Sequence, residues 1–180
     1  MLYKHTAAIT MYGGGLSDSE PRIVKKITAL THPKLASTTI TGLYAPAGEV
    51  IKIEIPEAEY KAAGGLAVYI GQNYNLDQQV AVEFTSTGVK GNGFTRMTDI
   101  LSKFELRDAY KNVTIENGIA TAYVGSFLGG PIYFRPLKND VERKISVTIS
   151  GAVKYQHFIL GVTTPEEYDF NKASTAPYFD

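Results

Sequence analysis

The sequence contains no cysteine and no tryptophan, and its only histidines are His5, His32 and His157. Without cysteine there is no disulfide staple, no thiolate zinc site and no cysteine nucleophile. The three histidines stand far apart, whereas a zinc hydrolase sets two of them one helical turn apart with a glutamate beside the first. An excess of charge of either sign is also missing, because 18 acidic residues balance 18 lysines and arginines. A neutral chain lacks the broad positive field that draws nucleic acid or an anionic membrane surface. No apolar run approaches the roughly 20 residues that span a bilayer. The opening MLYKHTAAITMYGGG has no apolar core long enough for a signal peptide. Either the chain stays inside the cell or it is a piece of a longer protein, and the second reading is the expectation.

Familiar catalytic patterns are absent too. A nucleophile elbow needs G-x-S-x-G, and VGSFLGG places Ser126 directly after Gly125, at the wrong spacing. The glycine-rich stretches YGGGLSDSE and GVKGNGFTR lack the Lys-Ser or Lys-Thr pair of a phosphate loop and read as loops. Glu54, Glu57 and Glu59 read as a solvated strand end. In TTPEEY, Thr164 as cap, Pro165 and the following acids read as a helix start.

What is present is alternation. Ile51, Ile53 and Ile55 share one side of a strand and Lys52 and Glu54 the other, with Pro56 ending it. LAVYIGQN, QVAVEFTST, GIATAYVG, GPIYFRP, RKISVTIS and YQHFILG follow, each bounded by turn residues. His157, within the last of these, reads as a half-buried structural residue. This pattern predicts a mostly β fold, an antiparallel two-sheet β-sandwich of jelly-roll type with one or two short peripheral helices. The first 37 residues read as a separate arm, and residues 38–180 as the sandwich. Within the arm, Ser19 as cap, Glu20 and Pro21 in the first turn, and Ile23, Ile27 and Leu30 at spacings of four and three predict a short helix ended by His32-Pro33. TRMTDILSKFEL, residues 95–106, fits a helix face or a poor strand, and both stay open.

Most of the 12 tyrosines fall on the strands, where aromatics are favoured anyway. Tyr3, Tyr12, Tyr74 and Tyr110 fall in loops, and Tyr74 and Tyr110 are the candidates for ligand contact. The plainer reading is a packed ring with a solvated hydroxyl. Asn112-Val113-Thr114 is a glycosylation triplet of weak specificity.

Four segments in order, TGLYAPAGEVIKIEIPE, AVYIGQNYNL, FLGGPIYFRP and VTISGAVKYQHFILGVTTPEEY, followed by APYFD, carry a resemblance. Together they resemble the N-terminal β-sandwich domain of the enhancin-like, mucin-degrading zinc metallopeptidases, peptidase family M-sixty. The likeness covers about residues 38–180. Two aromatics that are Trp in the family are Tyr168 and Tyr178 here. The family's H-E-x-x-H is absent, so this chain is expected to hold no zinc and to be no enzyme itself. The resemblance implies a non-catalytic accessory domain whose partner is a zincin catalytic domain of the same polypeptide, where the zinc is expected. It further implies a glycoprotein or mucin substrate for the parent and a secreted or cell-surface setting. Tyr168, Pro177, Tyr178 and Phe179 are the expected interdomain contacts. The alternative is a free-standing carbohydrate- or protein-binding module. The A-P-A-G turn itself reads as a structural corner, in which Pro46 and Gly48 set the bend and thereby the register of the strand that follows.

Overall fold

A computed structural model of the chain describes residues 20–31, 33, 38–71, 102–155, 157 and 163–166. These residues form nine strands: β1 (Ile23–Thr31), β2 (Thr39–Ala45), β3 (Val50–Pro56), β4 (Leu66–Ile70), β5 (Ser102–Leu106), β6 (Thr114–Glu116), β7 (Ile119–Gly125), β8 (Gly130–Pro136) and β9 (Arg143–Lys154). One helix, α1 (Glu57–Ala62), and a 3-10 turn at Asp108–Tyr110 complete the set. Every strand pairing among the described residues is antiparallel, and the order across the sheet is β5-β4-β8-β2-β9-β3-β7-β6, with β1 also on β9. The mostly β, antiparallel expectation therefore holds. The strands form one continuous sheet curled into a half-barrel, and a facing second sheet is not among the described residues.

The alternating isoleucines supply the core. Ile51, Ile53 and Ile55 of β3 are almost completely buried with Ile145, Val147 and Ile149 of β9, Leu66, Val68 and Ile70 of β4, and Ile132 and Phe134 of β8. Each such side chain contributes roughly 1.5–3 kcal/mol of burial energy. Lys52 pairs in register with Tyr123 on β7 and with Ser150 on β9, so the outward positions of three strands also line up.

Two bulges curl the sheet. In β9, Ala152 opposes Ile23 and Ser150 opposes Val24, which leaves Gly151 as the extra residue, at φ 93°. In β2, Thr41, Gly42 and Leu43 stand against Ile132 alone, between the pairs Ile40–Tyr133 and Tyr44–Pro131. An extra residue bends its strand and increases local twist. Past Gly151, β9 pairs through Val153 and Lys154 with β2, whereas its earlier residues pair with β1 and β3.

Three local expectations are corrected. Residues 23–31 form a strand, not the predicted helix. Ile23 and Ile27 face the core and Ala29 and Thr31 are buried, while Val24 and Leu30 point outward. A spacing of four is even and suits a strand as well as a helix, and full-length pairing with β9 decides between them. His157 lies beyond β9, not within a strand. Its ring Nδ1 comes within 3.3 Å of Tyr155 O. Glu57 and Glu59 belong to α1, not to a solvated strand end. They sit in its first turn against the helix dipole, with Lys61 in the last turn bonded to Glu57. Glu59 reaches β9, where its Oε2 accepts from Ser146 N–H.

Of the stretch read both ways, Ser102–Leu106 is a strand, and residues 95–101 lie outside the described residues. So does the whole of the expected strand QVAVEFTST. Helical backbone does begin at Pro165, behind Thr164.

Candidate functional site

The Pro46–Gly48 turn joins β2 to β3 and is bound on several sides. Gly48 N–H donates to Ser126 O at 2.7 Å, and Glu49 N–H donates to Pro46 O at 3.2 Å. Gly129 lies so close that a Cβ there would meet Ala45 O at 2.6 Å and Ala47 N at 2.8 Å. A Cβ on Gly130 would meet Gly71 Cα at 2.5 Å, and Gly71 N–H donates to Pro131 O at 3.0 Å. On the neighbouring strand, Tyr155 N–H donates to Gly42 O at 3.1 Å. The His157 ring lies over Gly42, 2.5 Å from where a Cβ would stand. All four sequence segments thus meet at one corner, and two of them contribute glycines that admit a neighbour where a side chain would collide.

Side chains complete the corner by replacing backbone partners. Thr41 Oγ1 donates to Ile132 O at 2.6 Å and accepts from Leu43 N–H at 3.1 Å, which satisfies groups that the β2 bulge would otherwise strand. Ser126 is buried, and its Oγ accepts from Leu128 N–H at 3.3 Å. The Lys25 ammonium donates to Thr41 O at 3.0 Å. Burial, followed by the nearby Lys154 charge, lowers the pKa of Lys25. Tyr44 and Tyr155 pack with ring centroids 5.8 Å apart. Burial raises the pKa of Tyr155, and burial and then Tyr155 raise that of Tyr133.

Glu49 ends the turn. Its carboxylate is 1% exposed and takes a two-pronged bond from Arg22, just before β1. The sequence reading passed over this pair. Its signal was available, because the alternation that buries Ile51, Ile53 and Ile55 puts Glu49 on the same side.

The polar side chains described at the corner are engaged within it. Ser126 holds a turn, and the Glu49 carboxylate is engaged by Arg22. Among the described residues no three His, Asp or Glu side chains cluster as a metal ion requires. His157 rests on Gly42. His5 and His32 lie outside the described residues, as do Tyr74, Tyr168, Pro177, Tyr178 and Phe179. Tyr110 is described: it follows β5 at the sheet edge, 59% exposed, with the Arg107 guanidinium 5.8 Å from its ring centre. Asn112 of the glycosylation triplet is bound at both ends of its amide, accepting from Arg107 N–H at 3.1 Å and donating to Glu105 O at 2.8 Å. No helix among the described residues is long and apolar enough to cross a membrane.

Residues 24–150 match the family model described as the N-terminal domain of M60-like peptidases. No curated protein matches the sequence. Among solved structures, the IMPa metallopeptidase from Pseudomonas aeruginosa is similar over 93% of this chain and 17% of its own, at 16% identity and a TM-score of 0.55. IMPa from Pseudomonas aeruginosa in complex with an O-glycopeptide is similar over 86% of this chain and 16% of its own, at 16% identity and a TM-score of 0.50. IMPa in complex with T-antigen matches over 93% and 17%, at 15% identity and a TM-score of 0.50. At such identity the likeness is one of fold, and the chain spans only 16–17% of these larger chains.

Proposed function

The chain belongs to the family of N-terminal domains of M60-like peptidases, and on that premise we propose that it is a non-catalytic accessory domain. It packs against a zincin catalytic domain of the same polypeptide and supports the substrate cleft formed there. The zinc belongs to that catalytic domain. The parent's substrates are glycoproteins of the mucin type, met in a secreted or cell-surface setting. IMPa structures with an O-glycopeptide and with T-antigen support the choice of substrate class.

The observation that carries this reading is the corner. Among the described residues, those that resemble the family most hold turns together through backbone contacts. The chain passes through this corner at Tyr155 and His157 on its way to Tyr168, Pro177, Tyr178 and Phe179, which we propose as the interdomain contacts.

The test is to incubate the 180-residue chain with mucin and zinc. No cleavage is expected. Robust proteolysis that a chelator abolishes would overturn the accessory reading. A second reading, a free-standing carbohydrate- or protein-binding module, is favoured by one observation, the exposed Tyr110 ring beside Arg107. Glycan or mucin binding by the chain that Tyr110→Ala removes would support it.

A further inference from the structure

The outward face of β9, β3 and β7 carries polar side chains in register. In one row, Ser150 opposes Lys52 and Lys52 opposes Tyr123; in the next, Thr148 opposes Glu54 and Glu54 opposes Thr121. Tyr123 is 61% exposed, and the Lys52 and Glu54 side chains are each 30% exposed. Lys52 Nζ lies 2.6 Å from Glu54 Oε1. That bond is the chief cause of a raised Lys52 pKa, and Tyr123 stands beside Lys52 in register.

We propose that this block of six residues is a binding site for an uncharged pyranose sugar. A pyranose has an apolar C–H face that stacks on an aromatic ring and a rim of hydroxyls that both donate and accept. Tyr123 supplies the ring. The Lys52 ammonium has three donors and spends one on Glu54, whose second carboxylate oxygen remains an acceptor. A donor and an acceptor held side by side match two adjacent sugar hydroxyls, and the hydroxyls of Thr121, Thr148 and Ser150 extend the same chemistry. Within the block the Lys52 and Glu54 charges offset each other, and the same rows continue onto β1, where Lys26 stands opposite Thr148 and Val24, 70% exposed, opposite Ser150. Tyr123 and Val24 together are too little for the apolar centre of a protein interface. The block lies on strands paired on both sides, so its geometry is set before a ligand arrives.

The choice of a mucin-type sugar as probe rests on the glycoprotein reading above, while the block itself does not. The isotope-labelled 180-residue chain is titrated with the neutral disaccharide galactosyl-N-acetylgalactosamine, its sialylated form and an unglycosylated threonine peptide, with backbone amide shifts as the readout. The neutral disaccharide should bind saturably, with a Kd on the order of 1 mM. Shifts should centre on residues 52–54, 121–123 and 148–150, the block's own strands. Tyr123→Ala and Glu54→Gln should each weaken binding roughly tenfold or more, while Tyr123→Phe keeps the stacking ring and most of the affinity. Tyr123 is exposed, so its variants fold. Four results overturn the proposal: no saturation by ~20 mM, shifts centred elsewhere, binding indifferent to Tyr123→Ala, or binding of the sialylated form or the peptide alone. Zinc-dependent cleavage of mucin by this chain would sink the accessory role and leave this titration untouched, so the two failures are distinguishable.

Discussion

The Arg22 guanidinium grips the Glu49 carboxylate at two points, Nη2 to Oε1 at 2.5 Å and Nε to Oε2 at 3.0 Å, with 10% and 1% of the two side chains exposed. The two residues lie 27 apart in sequence. Their bond ties the residue that leads into β1 to the turn that leads into β3. Those strands flank β9 on opposite sides, so the pair braces the middle of the sheet.

A buried carboxylate that loses its partner cannot be rehydrated. Glu49→Ala, or Arg22→Ala, should therefore cost about 3–5 kcal/mol, most of it from stranding the remaining charge. The double change Arg22→Met with Glu49→Leu should recover most of that loss, because apolar groups of similar volume need no partner. Urea unfolding of the four proteins checks this. If each single variant unfolds like the parent chain, the pair is not a brace.

Thr41 acts as a piece of backbone. Thr41→Val keeps shape and removes the hydroxyl, leaving Ile132 O and Leu43 N–H unpaired in a buried bulge. A loss of about 2–6 kcal/mol is expected, at 1–3 kcal/mol for each of the two stranded groups. Thr41→Ser, which keeps the hydroxyl, should lose much less. Equal losses from the two variants would mean that methyl packing, and not hydrogen bonding, is the role of this residue.

Gly42 and Gly130 separate two kinds of constraint. At Gly42, φ is 64° and the obstacle to a Cβ is the His157 ring. At Gly130, φ is 139° and the obstacle is the Gly71 backbone itself. A ring can be cut away and a backbone cannot. Gly42→Ala should be destabilising, by about 1–3 kcal/mol, and His157→Ala in the same chain should relieve part of that cost. Gly130→Ala should be at least as damaging, with no relief from His157→Ala. Melting temperatures of these variants decide the matter, and relief at both sites would show that the corner moves as one piece.

The same residues show what the sequence made legible. Ile51, Ile53 and Ile55 announced their strand because period two has no helical counterpart over that length. β1 did not, because Ile23 and Ile27 satisfy both periods, while Leu30 and the Ser19-Glu20-Pro21 start signal argued for a helix. Leu30 proved to be an outward residue, 46% exposed, on a strand whose identity comes from pairing with β9 more than a hundred residues away. The turn chemistry of Pro46 and Gly48 was readable as a corner, but its contacts with Ser126 and Gly129 are long-range and leave no local trace. Loop tyrosines drew attention as ligand groups. The exposed Tyr123, on a strand, gains its meaning only from register with Lys52, which is a property of two strands and not of one.

Tyr60 on α1 is 2% exposed, and its hydroxyl has no hydrogen-bond partner among the described residues. Burial comes first, and then the Asp108 carboxylate, which lies near enough to attract the hydroxyl proton without completing a hydrogen bond of good geometry; both push its pKa well above the ordinary phenol value. An unfolded phenol loses its proton near pH 10. Above that pH the unfolded chain binds fewer protons than the folded one at this position, so stability falls as pH rises. Below it both states hold the proton and the effect vanishes. Tyr133 and Tyr155, also raised chiefly by burial, act in the same direction. Stability should thus be insensitive to these groups through neutral pH and decline above pH ~10, by at most ~1.4 kcal/mol per pH unit for each phenol. Tyr60→Phe removes an unpaired buried hydroxyl, so at pH 7 it should be neutral or stabilising by up to ~1 kcal/mol. The same change should flatten the alkaline decline. Urea midpoints of the two proteins from pH 7 to 11 give both numbers. A Tyr60→Phe chain that is weaker at pH 7 and declines just as steeply would show that the hydroxyl is bonded after all, and that the alkaline sensitivity lies elsewhere.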